Sequence, residues 1–374
     1  MRKYLEPGSI IGLIGGGYES YLLLTQAHKM GFKTRLAVVD QNDEAILAAD
    51  EYVVVDNFNY ENIKKVAEIS DILMFETLEL DNDDLVRIAN EFPVIQGTEL
   101  VSMAQDRYLE RTFLDGININ IVPFQMVVSE DDLQIGIKNI GYPCVLRPIQ
   151  KGIDRQVVLN SEGDIAEAKV IIGQGAYILE ASVDVKQEFT IMAAKRANGK
   201  IHVFPMINDQ YQNGILKSAS VFIKNDPRVE EEVQRVVAKV AQSINYIGVF
   251  GIQFIISDNK NLYVKQIVPG LAYSANVYEL ATGRSQFELH LRAIANWPIP
   301  EVFPLTNTSI LRIMKEQKEE ALELLQEKSQ WKFMFHNADD SFTYEDEVGY
   351  ILLSSSEEDF LRNNINNTKS WKID

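Results

Sequence analysis

The chain opens with short apolar blocks that alternate with stretches of helical spacing. Ile10–Ile14 is an apolar block running into Gly15, Gly16 and Gly17, and Tyr21–Phe32 places apolar residues three and four apart, with Gly31 at its end. The segments RLAVVD, EYVVVD and DILMFE read as further strands, and Tyr60–Ile69 reads as a helix between the last two. Strands and helices in alternation predict a parallel, doubly wound sheet, closing near Gly97.

Beyond Gly97 the pattern changes. A helix is expected over Glu99–Leu114, followed through Gly116 by the strand VPFQMVV, a helix from near Glu130 and the strand YPCVLRPI. QVVLN, a helical stretch Asp164–Ile172 and AYILEA complete a small α+β unit. EFTIMAAKRANGKIHVFPMIND reads as a hairpin around Asn198-Gly199, Arg228–Ile244 as an amphipathic helix, and GVFGIQFIISDNKNLYVKQIV as a second hairpin turning at Ser257–Asn261. After Pro298 and Pro300 the tail alternates strand and helix, including a charged helix over Lys315–Lys328. The expected units are 1–98, 99–180, 181–300 and 301–374.

Composition narrows the function classes. The chain has 374 residues, 46% apolar and 24% charged, with a net charge of -18. That charge argues against a nucleic-acid partner, whose phosphates are gripped by clustered Lys and Arg, and against an anionic membrane surface. Cys144 is the only cysteine, so neither an internal disulfide nor a thiolate zinc site can form. MRKYLEPGSI lacks the apolar run of a signal peptide and no stretch reaches the roughly 18 apolar residues of a membrane span, so a cytoplasmic home is expected. His28, His202, His290 and His336 lie far apart in sequence and read as surface or packing residues.

Gly12, Gly15, Gly16 and Gly17 sit between the first strand and the first helix, where glycine lets backbone N–H groups approach a phosphate. Asp40 ends the second strand at about the interval of a dinucleotide-binding acid. Three readings stand: a dinucleotide site, a tight turn without a ligand, or a pocket for a substrate phosphate, in use or vestigial.

Four strings carry a resemblance. IIGLIGGG, IQGTELVSMAQDRYLERTFL, YPCVLRPIQKGIDRQVVL and the set IGVFGIQF, LYVKQIVP and SQFELHLRAI resemble, in order and spacing, the 5-(carboxyamino)imidazole ribonucleotide synthase (PurK) family of ATP-grasp ligases. The likeness runs over about residues 10–295. It implies an α/β and α+β fold: an N-terminal doubly wound parallel sheet, then a two-lobed ATP-grasp domain and a small C-terminal α+β segment. It also implies ATP-dependent carboxylation of aminoimidazole ribonucleotide, with magnesium as cofactor and a homodimer as the assembly. Carried over residue by residue, it puts Arg107, Arg147, Lys151, Glu180, Val183, Glu188 and Lys265 around ATP. Gly15, Gly16, Gly17 and Glu76 fall in the substrate pocket, and Gln253 and Gln266 at the two metal positions.

The departures from the family pattern cluster on that chemistry. Magnesium reaches such sites through carboxylates and substrate phosphates, whereas Gln253 and Gln266 bring no charge and Lys265 stands where the family has Asn. The family's G-G-Y-D-G-K-G loop is shortened here to Lys151-Gly152-Ile153-Asp154-Arg155, and its strand lysine is Arg147, followed by Pro148. G-G-G-Q-L-G becomes Gly15-Gly16-Gly17-Tyr18-Glu19-Ser20, and R-K-M-G-H becomes Asp346-Glu347-Val348-Gly349-Tyr350, so acids replace the cations expected at the sugar phosphate. The sequence therefore predicts a member that has lost the carboxylation reaction and binds a nucleotide or other small ligand, with magnesium binding doubtful. Its rivals are an active ligase on an altered substrate, with Arg147, Lys151 and Lys265 replacing magnesium, and an interaction module without a ligand.

Overall fold

The computed structural model describes residues 4–153, 155–173, 175–336 and 347–372. Asp154 and Asp346 lie outside these. The N-terminal strands Ile10–Ile14, Lys33–Val38, Glu51–Val54 and Ile72–Phe75 form a wholly parallel sheet, with the third strand at one edge and the fourth at the other. Its two faces are covered by helices. Leu13, Leu23, Leu24 and Leu36 pack on one side and Ile63, Phe75, Leu85 and Ile88 on the other.

A second sheet of four strands, in the order Phe124–Val127, Tyr177–Ala181, Cys144–Pro148, Val157–Leu159, is antiparallel throughout. The third and largest sheet runs from the hairpin Gly248–Ser257/Leu262–Pro269 through Val185–Lys195, Ile207–Gln212 and Ile215–Val221. It continues into the C-terminal strands Asn307–Met314, Glu347–Ser355 and Lys332–Phe335. The expected α/β and α+β organisation is therefore present, with the C-terminal strands hydrogen-bonded into the large sheet rather than set apart.

Three local expectations need correction. The helix read over Glu99–Leu114 is two helices, Glu99–Gln105 and Arg107–Gly116. Asp106 breaks it: its side chain caps the second helix by accepting from the Leu109 N–H, and the Arg107 N–H turns away to the Ile149 carbonyl at 2.7 Å. A helix at Asn82–Glu91, capped by Asp81, was not anticipated. The third is a hairpin between Ile207–Gln212 and Ile215–Val221, turning at Asn213 and Gly214, both with positive φ. Among the described residues, no helix is long and apolar enough to cross a membrane.

Candidate functional site

Where the small antiparallel sheet faces the large one, ionic side chains expected near ATP meet one another. Arg111 Nε donates to Glu180 Oε1 at 2.7 Å, with both side chains more than nine-tenths buried. Arg147 reaches the other oxygen of Glu180 at 3.4 Å and also donates to Gln156. Glu110, 1% exposed, accepts the Ile267 N–H and pairs with Lys151 at 3.0 Å. Lys151 thus points inward to an acid. The shortened loop is held there because Lys151 N–H bonds the Gln105 carbonyl and the Arg107 guanidinium clasps the carbonyls of Pro148 and Gln150. Burial, aided by neighbouring Arg147, lowers the Arg107 pKa. Val183 lies just past the strand Tyr177–Ala181, in the link to Val185.

The two amides occupy directly opposed positions on neighbouring strands. Gln266 Nε2 donates to Gln253 Oε1 at 2.7 Å, and Gln253 Nε2 donates to the Tyr211 hydroxyl at 3.2 Å. The ladder steps from Gln253–Gln266 to Phe254–Val264, which leaves Lys265 as the extra residue of a β-bulge, a device that re-aims a side chain. Lys265 accordingly reaches Glu188 at 2.6 Å and lies 4.8 Å from the centre of the Tyr211 ring. Beside this pair Asp209 accepts a very short hydrogen bond from Thr190. Burial pushes its carboxyl up to about 7.

A magnesium ion does not fit this donor set. One amide oxygen is already used by the other amide, the nearby Glu188 is neutralised by Lys265, and no cluster of three acidic, His or Cys side chains able to hold a metal exists among the described residues. The three cations that could have replaced the metal, Arg147, Lys151 and Lys265, each face an acid of the chain itself.

The second half of the cleft lies above the glycine loop. Its volume is about 440 Å³, and Gly16, Gly17, Tyr18, Glu19, Glu76, Tyr273, Arg312, His336 and Glu347 line it. Gly17 begins the first helix, and its N–H is bound by the buried carboxylate of Asp43 at 3.0 and 3.1 Å. The Gly15 N–H bonds the Ala37 carbonyl. Gly16 packs so tightly on Asp43 that an added Cβ would stand 1.8 Å from its Oδ2. A helix N-terminus normally attracts anions, but here the chain supplies its own.

Glu19, Glu76 and Glu347 then crowd the same space. Burial drives the Glu76 carboxyl up to about 8, with Glu19 adding to the effect, and burial brings Glu347 up to about 7 against the pull of Arg312. Glu19 is raised by burial too. Among the described residues lining the pocket, one Arg or Lys, which the sequence reading missed, answers them: Arg312 pairs with Glu347 at 2.5 Å. Its backbone carbonyl is fixed by the indole N–H of buried Trp371 at 2.6 Å. His336, read from sequence as a surface or packing residue, also lines this pocket and stacks on Tyr18 with ring centres 4.0 Å apart.

A match to the ATP-grasp domain covers residues 112–287. The N5-carboxyaminoimidazole ribonucleotide synthase of Staphylococcus haemolyticus is 28% identical over 309 residues, 82% of each chain, and that of Bacillus subtilis is 27% identical over 333 residues, 87% of each. Over most of its length the chain is similar to N5-carboxyaminoimidazole ribonucleotide synthases of the ATP-grasp group, from which it diverges widely. In fold, the family likeness extends to the Staphylococcus aureus synthetase complexed with ADP, at a TM-score of 0.90 and 23% identity, over 97% of this chain and 98% of that one. The residues around these sites whose place the sequence reading did not give are Glu110, Arg111, Asp209, Tyr211, Arg312 and His336. Only Glu110 and Arg111 had a signal, as members of the helix string that carried the resemblance.

Proposed function

We propose that this family member, a relative of carboxylating synthetases of purine biosynthesis, binds an adenine nucleotide without magnesium and does not carry out the ATP- and bicarbonate-dependent carboxylation of aminoimidazole ribonucleotide. The observation that carries this reading is the Gln266–Gln253 hydrogen bond at 2.7 Å, in the place where two carboxylates would hold the metal. Phosphoryl transfer depends on positioned cations that spread the charge of the phosphates. Here Lys151 and Lys265 are each paired with an acid at 3.0 Å or less, and the substrate pocket presents three carboxyl groups. The nucleotide-binding half of the proposal rests on the ADP complex of the S. aureus synthetase and on the retained scaffold around Glu180 and Glu188. In that setting the protein acts in the cytoplasm as a homodimer, through ligand-dependent contacts with a partner.

The rival reading, an active ligase with cations in place of the metal, is disfavoured by those same ion pairs. Phosphate release distinguishes the two. With ATP, magnesium, bicarbonate and aminoimidazole ribonucleotide, the rate is expected to equal that without protein. Saturable release that depends on any one of these components would refute the proposal.

A further inference from the structure

We infer that the cleft bounded by Glu19, Glu76 and Glu347 binds a small organic ammonium ion, where relatives would hold a phosphorylated sugar. This rests on the reading above that the sugar-phosphate subsite is lost, and it names what replaces the lost ligand.

The acids alone would not define a site. The second observation is a set of buried hydrogen-bond acceptors with no donor among the described residues. Glu76 Oε1 is buried and unpartnered. Glu347 is 7% exposed in its side chain; its Oε2 is taken by Arg312 and the Tyr273 hydroxyl also acts on this carboxyl, while among the described residues Oε1 has no hydrogen bond of good geometry and lies 3.6 Å from His336 Nε2, too far to count as one. His336 is 9% exposed in its side chain and, among the described residues, neither ring nitrogen has a hydrogen-bond partner. Burial and Arg312 pull its pKa down to about 4, so the ring is neutral and offers a lone pair. Buried polar groups left unpaired are costly.

A primary ammonium group carries three N–H donors and one positive charge. It supplies donors to the free oxygens of Glu76 and Glu347 and to the imidazole lone pair, and it offsets the excess of acids over Arg312 in the pocket. A phosphate would instead meet three carboxyl groups and an anion-capped helix N-terminus.

Titration calorimetry at pH 8 with putrescine, 1,4-butanediol and ribose 5-phosphate tests this. Putrescine is expected to bind at least about tenfold more tightly than the diol, a clear margin on the affinity scale, and ribose 5-phosphate is expected not to bind. Glu76→Gln and, independently, Glu19→Gln should each weaken putrescine by about tenfold or more, with circular dichroism confirming that each variant is folded. Glu319→Gln, on a C-terminal surface helix, should leave it unchanged, which separates the pocket from general attraction to an acidic protein. Putrescine binding no better than the diol, or insensitivity to both cleft variants, overturns the inference while leaving the proposed function standing. Tight ribose 5-phosphate binding overturns both.

Discussion

Replacing Arg111 by methionine is expected to cost about 3–5 kcal/mol, the range for removing one partner of a buried ion pair. Methionine keeps much of the stem's packing but leaves Glu180, 3% exposed, with only Arg147 at 3.4 Å. Glu110 loses a neighbouring charge as well, since Arg111 also lies 3.6 Å from its carboxylate. Urea unfolding should show a lower midpoint with an unchanged slope. Adding Glu180→Leu to the same protein should recover much of the loss, because the penalty comes from the stranded carboxylate rather than from the missing attraction. A loss below about 1 kcal/mol, typical of an exposed pair, would mean that water reaches Glu180 and that this end of the cleft is not the sealed ionic cluster described above.

The double change Gln253→Glu and Gln266→Glu is expected to raise magnesium affinity by about 10–100-fold, the scale on which changes around a metal shell act, without producing phosphate release. It would place two carboxylates on opposed positions of the hairpin, close to the Lys265–Glu188 pair. Turnover should still fail, since Lys151 stays turned toward Glu110 and the second half of the cleft keeps Glu19, Glu76 and Glu347. Calorimetry with magnesium chloride, followed by a phosphate assay, reads both results. Carboxylation recovered by these two changes alone would show that the pocket acids matter less than their geometry implies.

The sequence was most informative where its signals are local. The first strand, its glycine turn and the following helix were legible from periodicity, and so was the hairpin that carries the two amides. The chemistry of Gln253 and Gln266 could be judged from residue type, because an amide lacks charge wherever it points. Other features were hidden because they come from distant parts of the chain. Near Asp106 there is no glycine or proline to mark a break, and Asp106 as a cap was a signal passed over; the Ile149 carbonyl, which captures the Arg107 N–H, comes from a distant part of the chain. Lys265 was legible as an added charge, but its partner depends on a one-residue bulge that only strand pairing reveals. Arg312 sits in a mostly buried strand that no motif marks, and it enters the pocket because the C-terminal strands extend the large sheet beside Ile215–Val221. Asp43, which occupies the glycine loop's N–H, lies in a turn that no motif marks.

The most direct test of the account is titration calorimetry of the intact protein with ATP, run once with magnesium and once with EDTA. Equal affinity in the two titrations is the predicted result, since Gln253 is already bonded to Gln266 and Glu188 to Lys265. Binding that appears only with magnesium, or tightens strongly with it, would contradict the account.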